Sequence, residues 1–257
     1  RAAAGGFDNR RMLPVAPDRP SPALRRAQRA WTLLHADSSR SIALAEQALA
    51  KAGEDALAQA WARLVLGYNR LNLATPAEAL SALEPLRADF ERLGDRAGAL
   101  LLEAGIARAW WRQGRLHEAH HHLLHLRDEG LHRLRHEQRS VLLNAIAGTH
   151  SVLGDSEQAF AYMASALRDA RPRHAPGFEV VLHCNLANEL MQLGDSEAAL
   201  VQLDEGLERC RRLSNPRVLA SLLINRIVVL TDLGRAHEAL ADVDAVRAIP
   251  ADEQGRG

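Results

Sequence analysis

Lysine is almost missing from these 257 residues: Lys51 stands alone, and arginine carries nearly all the basic charge. Cysteine is nearly as rare, with only Cys184 and Cys210. Two unpaired thiols make no disulfide scaffold and fit a reducing cytoplasm. Aromatics are 4% of the chain, and the β-branched, aromatic runs that make strands are scarce, which argues against a sheet. Neither charge is in excess, since 32 basic residues face 32 acidic ones. A surface that grips nucleic acid by its phosphates needs a basic excess, so that partner is excluded for this region. Apolar stretches such as Val180–Leu182 and Ile227–Leu230 fall far short of the roughly 18 residues a membrane span requires. With 47% hydrophobic and 25% charged residues the composition is that of a folded chain.

What is present is a repeat. Gln113-Gly114-Arg115, Leu153-Gly154-Asp155, Leu193-Gly194-Asp195 and Leu233-Gly234-Arg235 recur every 40 residues. Five residues after each glycine stands an alanine (Ala119, Ala159, Ala199, Ala239), and four further on an apolar side chain, Leu123, Met163, Leu203 and Val243. Ala74, Ala79 and Leu83 hold these places one step earlier, and Ala36-Asp37 with Ser41 makes a degenerate first copy.

One copy reads as a helical hairpin. Before the glycine, Val181, Leu182, Leu186, Leu190 and Leu193 show helical spacing. The glycine ends this helix in a left-handed conformation, and Asp155 or Asp195 caps the next one, with Glu157 or Glu197 in its first turn. Alanine then allows the two helices to approach closely. Single hairpins cannot bury their apolar faces, so the copies must stack. The expected architecture is an all-α, right-handed superhelical solenoid of six hairpins, about 12 helices, with a curved, elongated envelope. The hairpins fall at about 23–52, 54–92, 95–129, 132–170, 175–212 and 215–248. Residues 1–22 read as a flexible Pro/Arg-rich leader. Residues 250–257 read as a tail cut before a further domain, because the last helix carries Leu240, Val243 and Val246 with no polar cap after it.

The pattern resembles the tetratricopeptide repeat. Leu66-Gly67 supplies that family's Leu-Gly pair, Leu186-Ala187 with Leu190 approximates it, and Ile106-Ala107 with Trp110 keeps its aromatic. The period of 40 exceeds the family's usual 34, which implies longer helices. HEAT repeats share a period near 40, but the glycine turn followed by alanine favours the tetratricopeptide reading. The resemblance implies a non-catalytic scaffold or sensor that binds a peptide or protein segment in its concave groove, without a cofactor. Long-period repeats of this kind also imply the alternative of a regulatory region of a bacterial signalling protein, such as a GGDEF diguanylate cyclase, a histidine kinase or a transcription regulator. The segment bound could then belong to the same polypeptide, and the uncapped last helix could pair two copies into a homodimer.

In that family the first helix of each hairpin lines the groove. The positions carried over are Trp61 and Tyr68 in the second copy, Arg108, Trp111 and Arg112 in the third, Asn144 in the fourth, and Asn188 and Gln192 in the fifth. Arginine and tryptophan are the types most enriched at binding hot spots, and asparagine can pair with both donors and acceptors of an extended backbone. Each aromatic could equally fill space between hairpins.

One motif points elsewhere. His117-Glu118-Ala119-His120-His121 matches the zinc-protease spacing H-E-x-x-H, and His117, His121 and His125 form one helical stripe. Glu118-Ala119 falls on repeat positions that capping and close packing already explain, so no metal site is expected there. The bland reading of the stripe is a solvated outer face; metal binding or pH sensing is the sharper one. Cys184, on a mainly apolar helix without a base partner, reads as a buried structural thiol.

Overall fold

Gly114, Gly154, Gly194 and Gly234 all adopt positive φ, between 72° and 86°. Only glycine takes that conformation without a steric penalty, and each one ends a helix where the repeat requires it. The computed structural model describes residues 19–170 and 176–250, and among them there are helices and no strands. The expected leader up to residue 18, the segment containing Pro172 and the tail after residue 250 lie outside the described residues.

Helices α1 (Pro22–Thr32) and α2 (Ser38–Lys51) form the first hairpin. The next comprises α3 (Ala56–Leu73), α4 (Pro76–Leu83) and α5 (Leu86–Leu93). The remaining four pair α6 (Arg96–Arg112) with α7 (Leu116–Arg133), α8 (His136–Val152) with α9 (Ser156–Asp169), α10 (Pro176–Gln192) with α11 (Ser196–Cys210), and α12 (Pro216–Asp232) with α13 (Ala236–Arg247). Helices α4 and α5 are one outer helix broken at Pro85, which has no N–H to offer the carbonyl of Ser81. Ser21, expected in the leader, instead caps α1 by accepting from the Leu24 N–H at 3.0 Å.

Local chemistry sets these boundaries. Asp37, Asp55, Asp95, Asp155, Asp195 and Asn215 each precede a helix and accept a hydrogen bond from a first-turn amide. Ala119, Ala159 and Ala199 are wholly buried where paired helices cross. A larger side chain there would force the helices apart, at about 1–3 kcal/mol.

The hairpins do not extend into an open, elongated arc. The turn between α1 and α2 reaches the fifth and sixth hairpins. The His35 carbonyl accepts from Asn215 Nδ2 at 2.7 Å, across 180 residues of sequence. The His35 ring lies 4.8 Å from that of Phe178. A Cβ on Gly177 would sit 2.1 Å from the His35 carbonyl carbon, so only glycine admits the turn at this point. The Asn72 carbonyl, at the end of α3, accepts from Arg217 Nη1 of α12 at 2.7 Å. The curved stack closes on itself, and its inner face becomes the wall of a cavity.

Candidate functional site

That cavity measures about 490 Å³. Its wall is built from the first helices of successive hairpins, α3, α6, α8, α10 and α12, and from the α1–α2 turn. Five of the eight residues expected on the inner face line it: Arg108, Trp111, Arg112, Asn144 and Asn188. Helix α6 delivers the first three from its last two turns, where positions four apart share a face.

The other three lie elsewhere. Trp61 is 4% exposed, packed edge-on against Trp31 and Phe90, with its Nε1 donating to Asp95 Oδ2 at 2.6 Å. Tyr68 is equally buried, stacks edge-on to Trp31, and donates from its hydroxyl to the Leu101 carbonyl at 2.6 Å. Burial pushes its phenol well above the ordinary range. These two rings form one stripe of α3 that faces α1 and α6, so they hold hairpins together and do not reach the cavity. Gln192 ends α10 in an exposed position away from the cavity wall.

Polar groups on the wall are ordered by one another. Asn144 Oδ1 accepts from Asn185 Nδ2 at 2.9 Å, and Asn188 Oδ1 accepts from Asn225 Nδ2 at 2.8 Å, linking α8 to α10 and α10 to α12. Asn72 Oδ1 accepts from Arg108 Nη2 at 2.9 Å. Asn72, Asn185, Arg217 and Glu189 are wall residues that the sequence reading missed. A step of one repeat finds two of them, since Asn185 lies 41 residues after Asn144 and Asn72 lies 36 before Arg108. Burial pushes the Arg108 guanidinium down from its ordinary value, and repulsion from Arg112 adds to this. Burial, with Arg108 next in effect, holds the His35 imidazole down at about 3, so it is neutral at the cavity wall. The Glu189 carboxyl is pushed up by burial, against an opposing hydrogen bond from Ser151.

The histidine stripe belongs to the outer helix α7. His121 Nε2 and His125 Nε2 lie 3.2 Å apart on the exposed face, and the Glu118 carboxylate is paired with Arg115. His120 turns inward, with Nδ1 2.9 Å from Thr149 Oγ1, and burial lowers its pKa. Among the described residues no group of three or more histidine, cysteine or carboxylate side chains has a metal-binding arrangement. Cys184 is buried, its thiol pushed up to about 11 by burial, with Asn225 Nδ2 3.1 Å from its sulfur. Among the described residues no helix is long and apolar enough to cross a membrane.

Residues 184–217 match the family model described as tetratricopeptide repeat. No curated protein matches the chain at a significant level. Solved structures similar to it include BtubC (BKLC) from P. vanneervenii, 21% identical over 91% of each chain with a TM-score of 0.58. Another is a putative kinesin light chain from Podosopora anserina with nearly identical TPR-like repeats, 21% identical over 75% of this chain and 94% of that one, with a TM-score of 0.55. A third is a Rap protein complexed with Competence and Sporulation Factor, 12% identical over 90% of this chain and 77% of that one, with a TM-score of 0.64. Fold likeness and the matched repeat agree with the hairpins already described: the chain is an all-α solenoid of tetratricopeptide-like repeats.

Proposed function

We propose that this chain is a non-catalytic binding module that takes a peptide or protein segment against the inner wall of its closed stack. The observation that carries the reading is the convergence of Arg108, Trp111, Arg112, Asn144 and Asn188 from three hairpins on one cavity. Trp111 offers apolar area, the arginines offer directional donors, and the asparagines can pair with a peptide backbone. Further support comes from the similar Rap structure, which was solved with a bound factor, and from tetratricopeptide-like repeats being typically non-catalytic.

The test is to isolate a partner by pull-down and measure its affinity for Trp111→Ala and Asn188→Ala proteins that still fold. Losing a hot-spot side chain costs about 2 kcal/mol, or some thirtyfold in affinity. Unchanged binding by both, with loss on His121→Ala and His125→Ala, would move the functional surface to the outer face.

A second reading, a regulatory region of a signalling protein whose last hairpin docks on another domain or a second copy, is favoured by one observation. Ile224, Val228 and Leu240 on α12 and α13 are about half exposed or more. Light scattering that shows a dimer dissociated by Leu240→Glu supports pairing through this end; a monomer at all concentrations removes the homodimer.

A further inference from the structure

Three arginines from two distant hairpins meet at the C-terminal end of α3. Arg108 Nη2 donates to Asn72 Oδ1, Arg112 Nη1 to the Leu71 carbonyl, and Arg217 Nη1 to the Asn72 carbonyl. A helix C-terminus carries partial negative charge and welcomes one cation. It does not need three. Each guanidinium has five N–H donors, and in each of these only one is engaged among the described residues. Arg217 Nε is buried without any partner.

No carboxylate among the described residues offsets this charge. None of the three arginines is in an ion pair among the described residues. Among the described residues Glu189 is the one acid lining the cavity, and its carboxyl is pushed up, the opposite of what an arginine partner would cause. Its buried Oε2 has no hydrogen-bond partner. Burial is the main cause that lowers the Arg108 value, and repulsion from Arg112 adds to it. Like charges held together with unused donors, at the wall of a cavity of about 490 Å³, make a site that an anion would complete. That volume falls in the range of small-ligand pockets, roughly 300–1,000 Å³.

We propose that the seam of the closed stack binds a compact anion of two or more charges, a phosphate ester or a polycarboxylate, held between Arg108 and Arg112 of the third hairpin and Arg217 of the sixth. The inference rests on the inner wall being the binding face. Its anion is either a free small molecule or the acidic or phosphorylated group of a bound segment. Because Arg217 reaches the other two only through ring closure, the anion also ties the sixth hairpin to the third.

The experiment is a titration of the full chain with pyrophosphate, with citrate and with acetate, at matched ionic strength, followed by calorimetry and thermal melting. Pyrophosphate or citrate is expected to bind and raise the melting temperature, while acetate does neither. Arg108→Gln and Arg217→Gln are each expected to weaken binding about tenfold or more, as losing a charge-assisted hydrogen bond does. Arg235→Gln, on the outer surface, is expected to leave it unchanged. Should Arg217→Gln not fold, Arg112→Gln, with its exposed side chain, replaces it. A short phosphoserine peptide that competes and binds more tightly than pyrophosphate assigns the anion to a segment; a weaker one assigns it to a small molecule. Equal responses to acetate and pyrophosphate, or binding indifferent to all three inner arginines, would overturn the proposal. If an isolated peptide partner still binds through Trp111 while no anion does, the anion site alone has failed.

Discussion

The arginines of this chain fall into two populations. Away from the cavity several are paired with carboxylates: Arg87 with Glu103 at 2.6 Å, Arg139 of α8 with Asp169, Arg209 with Glu179 at 2.7 Å, and Arg235 with Glu238 at 2.7 Å. On the inner wall Arg108, Arg112 and Arg217 have backbone carbonyls and an asparagine instead. A net charge of zero thus hides an uneven distribution, with uncancelled positive charge at the cavity balanced by acidic residues elsewhere. Cancelled charges serve packing and solubility; uncancelled ones, gathered at a cavity, cost the free protein stability, which the proposed anion would restore.

Breaking the enclosure should produce the largest effect. Gly177→Val would drive a side chain into the His35 backbone, and a loss of about 1–3 kcal/mol is expected, with an expanded envelope in small-angle scattering. An unchanged melting point and envelope would mean that the first turn does not rest on α10.

Among the paired arginines, Arg139 bridges α8 to Asp169 at the end of α9, with both side chains largely covered. Asp169→Ala should cost about 1 kcal/mol, read from chemical denaturation, by stranding Arg139 and His136.

Acid should separate the two regions. Burial holds His35 at about 3 in the folded state against 6.5 when unfolded, so the unfolded chain binds the extra proton. That contribution is complete above pH 6.5 and is lost as the pH falls from 6.5 towards 3. Glu103 is held at about 2 against 4.5: burial would raise it, but hydrogen bonds from Arg87 and His122 outweigh that. Its contribution is lost only between pH 4.5 and 2. Melting curves against pH should therefore soften first through the seam. His35→Gln is expected to flatten the upper limb and Glu103→Gln the lower one; the reverse assignment would contradict the pairing described.

The smallest effect belongs to Arg235→Ala. Its pair with Glu238 lies on the solvent side of α13, and no measurable change in melting temperature is expected.

Much of the fold can be read from the sequence because its physics is local. A glycine every 40 residues stops a helix, an acid after Gly154 and Gly194 caps the next, and an alanine marks the crossing. The same register places Arg108, Trp111 and Arg112 on the inner wall. It misplaces Trp61 and Tyr68, because they sit seven residues apart on a stripe of α3 that meets Trp31, and the first hairpin's degenerate sequence conceals how closely α1 covers that side. Closure is invisible to any periodic pattern. His35 with Asn215 and Asn72 with Arg217 join residues 180 and 145 apart, and nothing in their neighbourhoods announces a partner.

Closure is the premise on which both the cavity and its unpaired charge depend. Spin labels placed at Ser39 and Ser214, exposed residues that line one crevice at the seam, measure it directly while Cys184 and Cys210 stay buried. Pulsed dipolar spectroscopy should give a single short distance that persists from low to high protein concentration and is lost in Gly177→Val. A broad distribution at long distance in the parent protein would mean an open arc, with Arg217 far from Arg108 and no enclosed site.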